Sequence, residues 1–107
     1  MSTDANYFLF RVLTPLGFTV HCSWHYWEMK IVGDHPVMAG READVIRALT
    51  DPNEIRLSQI DREVFLFYAP DDKRLVCAVA RRTDSDGFLI TAYPADRVKK
   101  GEIVWTK

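Results

Sequence analysis

The chain has 107 residues, of which 48% are hydrophobic and 12% aromatic, and it carries a formal net charge of −1. A chain of this size forms one domain, residues 1–107, and buries about two thirds of its unfolded surface. Near-neutral charge excludes a broad duplex-binding footprint, so any nucleic-acid contact has to be small and local. No apolar run approaches the ~20 residues of a membrane span. The polar opening Met1–Asn6 lacks the basic flank of a signal peptide. Cys22 and Cys77 are far apart in sequence and form no CxxC pair, which reads as two reduced, buried thiols in a cytoplasmic protein.

Tyr7 to Leu13 alternates as a strand, and Phe18 to Cys22 returns after the turn Thr14-Pro15-Leu16-Gly17, so residues 7–22 predict a β-hairpin. Ser23 is a good helix N-cap. Trp24, Trp27 and Ile31 follow at helical spacing and predict one apolar stripe, closed by Gly33-Asp34-His35-Pro36. A second helix is predicted over Glu42 to Leu49, ending before Asp51-Pro52. The remainder reads as β structure. Ile55 to Ser58 is short, and Val64 to Tyr68 is apolar throughout, as in a strand covered on both faces. After a loop over Ala69 to Lys73 comes a long strand, Arg74 to Arg82. A hairpin turn over Thr83 to Gly87 returns as Phe88 to Tyr93, and Glu102 to Trp105 forms a last edge strand. Helices followed by an antiparallel meander define an α+β domain.

With a side-chain period of two, Phe88, Ile90 and Ala92 share one face of the last long strand, and Leu89, Thr91 and Tyr93 share the other. A hydroxyl and a phenol fixed side by side suit a phosphate or a ribose, and equally suit an ordinary sheet surface. His35, in a loop before a proline, is a residue type suited to proton transfer near neutral pH, and equally a plain surface residue. Arg81-Arg82 and Lys99-Lys100 are the local basic candidates. His21 and His25 lie four apart, but no further ligand completes a zinc pattern, so no metal and no cofactor is expected. Glycine-rich phosphate loops and nucleophile elbows are absent from the sequence.

Five blocks in order carry a resemblance: Tyr26-Trp27-Glu28-Met29-Lys30-Ile31; His35-Pro36-Val37-Met38; Leu49 through Arg56; Phe65-Leu66-Phe67-Tyr68; and Gly87 through Pro94 with Lys99-Lys100-Gly101-Glu102. Over residues 20–106 they resemble small bacterial proteins grouped with phage-type nucleases of the barnase–EndoU–colicin–RelE superfamily. The resemblance implies one or two N-terminal helices packed on a curved antiparallel sheet of about four strands, which with the hairpin read from the residues gives an N-terminal hairpin and two helices on that sheet. It also implies a metal-independent endoribonuclease, with a toxin role and a cognate inhibitor protein as further implications. In that reading His35 stands for the superfamily's histidine, Arg81 for its basic strand residue, and Thr91 and Tyr93 for its hydroxyl and aromatic pair. Better-known members use two histidines, so the general base stays open among His35, His25, His21 and the carboxylate Glu28. The alternative is an inactive relative, either a protein-interaction module or a small homodimer joined through the edge strand Ile103–Trp105.

Overall fold

The computed structural model describes residues 7–107; the opening read above against a signal peptide lies outside them. The hairpin forms as expected from β1 (Phe8–Leu13) and β2 (Thr19–Ser23), paired antiparallel. Thr14 closes its turn: backbone N–H and side-chain hydroxyl both donate to the Phe18 carbonyl, at 3.0 and 2.9 Å. Gly17 sits at φ +91°, a conformation that costs glycine nothing. Phe10, Val20 and Cys22 turn to the core.

Ser23 ends β2 and caps the next element, its hydroxyl accepting from the Tyr26 N–H at 3.0 Å. α1 (Trp24–Tyr26) is a single turn that widens into a π-helical stretch, Trp27–Val32. The stripe expected of Trp24, Trp27 and Ile31 is therefore only partly formed. Trp27 and Ile31 are buried, whereas Trp24 is 46% exposed. The i→i+5 geometry of a π turn departs from the 3.6-residue period that would align all three. A 3₁₀ turn, Pro36–Met38, buries Met38, and α2 (Glu42–Thr50) buries Val45, Ala48 and Leu49. Arg41 pairs with both Asp44 and Asp71, tying the start of α2 to the sheet.

The sheet corrects the expected architecture. Strands β3 (Glu54–Leu57), β4 (Val64–Asp71), β5 (Arg74–Thr83), β6 (Asp86–Ala95) and β7 (Ile103–Thr106) join the hairpin in one seven-stranded sheet of order β1-β2-β6-β5-β4-β3-β7. It is mixed, not a four-stranded antiparallel sheet carrying two packed helices, and the helices are short. The hairpin is the reason on one side: instead of standing apart, β2 docks parallel on β6 at His21–Phe88. On the other side β7 pairs β3 and extends the sheet. The loop expected at Ala69–Lys73 and the turn at Thr83–Gly87 both shrink. Strands run to Asp71 and resume at Arg74, then run to Thr83 and resume at Asp86, with Asp72 and Asp84 at positive φ in the turns.

A β-bulge changes the faces of β6. Val79 pairs Thr91 but Ala80 pairs Leu89, leaving Ile90 as the extra residue. Leu89 and Ala92, not Phe88 and Ala92, therefore point to the core, and Phe88 joins Thr91 and Tyr93 on the opposite face. Tyr26 crosses to this bulge, its hydroxyl donating to the Ile90 carbonyl at 2.7 Å. The core face, including Phe67, Val76, Ala78 and Leu89, packs under the helical segments. On the opposite face Leu66, Tyr68 and Cys77 form a smaller cluster with Val79, Tyr93 and Val98.

Candidate binding groove on the open sheet face

Alternation along β4, β5 and β6 sets Val64 and Leu66, then Val79, then Thr91 and Tyr93, on the face away from the helices. Cross-strand pairing aligns Leu66 with Val79 and Val79 with Thr91 in one row, and Cys77 with Tyr93 in the next. These residues floor a groove of about 900 Å³, flanked by the turn that carries Ile60 and by the loop Asp96–Lys100. The floor is apolar with two hydroxyls; the flanking loop brings Arg97, Lys99 and Lys100.

Two features of the floor are chemically specific. Thr91 Oγ1 is buried and has no hydrogen-bond partner. Tyr93 neighbours a cation and a histidine: Lys99 Nζ lies 5.2 Å from its ring centroid, and the His35 ring lies 5.6 Å from it, tilted 44°. Burial raises the Tyr93 phenol far above its ordinary value, with Cys77 beside it adding to the effect, so the hydroxyl stays neutral and can donate. The Lys99 loop is pinned by its own backbone, since Lys99 N–H donates to Tyr68 Oη at 3.1 Å.

The four residues singled out in the sequence divide. Thr91 and Tyr93 share the groove; His35 meets the Tyr93 ring without itself lining the groove, and Arg81 stands apart. It lies on the same face by alternation and pairs across to Phe88, yet it does not line the groove, and its guanidinium is ion-paired with Asp61. Asp61 is itself fixed, accepting from the Glu63 N–H at 2.9 Å, and that bond and Arg81 hold its carboxyl below the usual range. Among the other candidates for a base, His25 and Glu28 are exposed on the helical segment, and His21 lines a separate cavity. Among the described residues no group of three or more His, Cys, Asp or Glu is placed to hold a metal ion. Sequence reasoning named Lys99 and Lys100 only as a basic pair and missed the apolar floor. Val64, Leu66 and Tyr68, every second residue of an all-apolar strand, carried that signal.

Both cysteines are free and buried, and burial pushes Cys22 up to about 12 and Cys77 up to about 11, which leaves them as thiols. Among the described residues no helix is long and apolar enough to cross a membrane. No protein-family profile, curated protein or solved structure matches the chain.

Proposed function

We propose that the groove binds a single-stranded RNA segment and that His35 serves its metal-independent cleavage. The observation that carries this reading is that His35 and Lys99 each contact the ring of Tyr93, which shares the groove with the unpartnered hydroxyl of Thr91. A ribose-phosphate unit satisfies what this arrangement leaves open. Its oxygens accept from Thr91 and Tyr93, and its charge meets Lys99, Lys100 and Arg97. In the cleavage step the ribose 2′-oxygen bonds to the neighbouring phosphorus as the bond from phosphorus to the 5′-oxygen breaks. His35 takes the 2′ proton, and the leaving oxygen takes a proton from solvent. The lysine ammonium groups balance the charge that grows on the phosphoryl oxygens.

A second reading has its own observation. Arg81, the strand residue that the nuclease reading wants for charge stabilisation, is neutralised by Asp61. That favours an inactive relative whose open face binds another protein. Incubating the pure chain with total RNA in the presence of a chelator separates the two: cleavage that is lost in His35→Ala supports the nuclease, and intact RNA supports the interaction module.

A further inference from the structure

The N-terminal hairpin joins the rest of the sheet along β6, where Thr19 N–H also donates to the Ser85 carbonyl at 3.1 Å. β2 meets β6 through one parallel register pair, His21 with Phe88. Beside that pair lies a cavity of about 350 Å³, lined chiefly by Phe8, His21, Cys22, Tyr26, Phe88 and Leu89. It shares no lining residue with the groove.

Three observations describe its walls. Phe8 and Phe88 are 51% and 37% exposed, a large apolar surface left open at the cavity instead of being packed. Their rings flank His21 with centroids at 4.9 and 6.5 Å, tilted by 34° and 49°, so the walls are aromatic and none is stacked face to face. His21 Nδ1 is buried without a hydrogen-bond partner. Its nearest carboxylate oxygen, Asp86 Oδ1, is 3.7 Å away and already accepts from Thr19 Oγ1 and the Gly87 N–H, each at 2.9 Å.

Two of the polar groups inside are hydroxyls. Ser23 Oγ accepts from the Tyr26 N–H and keeps its own proton to donate, and Tyr26 Oη donates to Ile90 and keeps lone pairs to accept. The nearby charges, Arg11 and Asp86, face each other at 3.9 Å. Such a lining supplies no lysine or arginine for a phosphate and suits a flat ring with hydrogen-bonding edges, and the volume lies at the small end of ligand pockets. We propose that this cavity binds one uncharged planar heteroaromatic ring of nucleobase size. The proposal is independent of RNA binding in the groove.

The test titrates the full chain with adenosine, uridine, nicotinamide and, as a non-aromatic control, cyclohexanol, followed by amide and aromatic NMR shifts. Saturable shifts at Phe8, His21, Ser23 and Phe88 with at least one of the rings, and none with cyclohexanol, are expected. Phe88→Leu, which keeps apolar bulk at a half-exposed site, should retain the dispersed spectrum and weaken binding by about tenfold through loss of ring contact. Phe8→Ala serves as a second variant and should weaken it likewise. The proposal is overturned by no saturable shift up to the solubility of all three rings, by shifts confined to Thr91 and Tyr93, by equal response to cyclohexanol, or by unchanged affinity in both variants.

Discussion

The ring of His35 lies against the ring of Tyr93, 5.6 Å between centroids, although 58 positions separate them in sequence. The contact joins two elements that the chain builds independently. His35 is carried by the segment between the π turn and the 3₁₀ turn, its N–H donating to the Ile31 carbonyl at 2.9 Å. Tyr93 is carried by β6 beyond the bulge. The helical segment thus reaches β6 at its far end, where the imidazole meets the Tyr93 ring.

Trp27 anchors that segment, with 1% of its surface exposed. Trp27→Ala leaves a large cavity under the sheet and should destabilise the fold by about 3–5 kcal/mol. Urea unfolding checks the value, and a cost below about 1 kcal/mol would show that the segment is not held by its core contacts.

Gly87 has no room for a side chain. A Cβ there meets the Arg81 carbonyl oxygen at 2.5 Å and the Phe18 ring at 3.0 Å. Gly87→Ala forces backbone apart at the start of β6 and should cost about 1–3 kcal/mol, read from the thermal midpoint. A neutral result would mean that the β5–β6 ladder opens there without penalty.

The thiols give an inexpensive check on the core. Cys22 and Cys77 are buried, with pKa values pushed up to about 12 and about 11. The native protein at pH 8 should therefore resist a thiol-reactive disulfide reagent, and both sulfurs should react on unfolding. Rapid reaction of either thiol in the native state would contradict the burial.

Acid should weaken the tie between α2 and the sheet. Hydrogen bonds from Arg47 and Arg41 hold the Asp44 carboxyl below its usual value. A carboxylate with a lowered folded value contributes stability above about pH 4, and that contribution is lost as pH falls through the lowered value. Asp44→Asn should cost about 1 kcal/mol at pH 7, and its deficit against wild type should close once the pH falls below the lowered value. A deficit that persists in strong acid would assign the loss to packing.

Local signals made much of this fold legible. The hairpin followed from alternation around Thr14-Pro15-Leu16-Gly17, the helix start from Ser23, and α2 from its apolar spacing before Asp51-Pro52. What escaped is non-local. The bulge at Ile90 sits in a run of apolar residues, Phe88-Leu89-Ile90, where a one-residue shift of face leaves the pattern unchanged. The parallel docking of β2 on β6 depends on packing between segments more than 60 residues apart, and that docking made the sheet larger than the expected four strands. At the groove, Thr91 and Tyr93 were readable because a hydroxyl and a phenol two apart on a strand share a face. The capture of Arg81 by Asp61, from a turn 20 residues earlier, was not.

RNA binding in the groove, proposed to run through Tyr93 and the Lys99 loop, is measured by anisotropy of a labelled single-stranded oligoribonucleotide. Wild type, Lys99→Ala/Lys100→Ala and Thr91→Val are compared at two salt concentrations, with circular dichroism to confirm folding. Salt-sensitive binding by wild type, a shallower salt dependence in the double lysine variant, and weaker binding in Thr91→Val are expected. Absence of binding by wild type, or identical isotherms and salt slopes in all three folded proteins, would contradict the proposal.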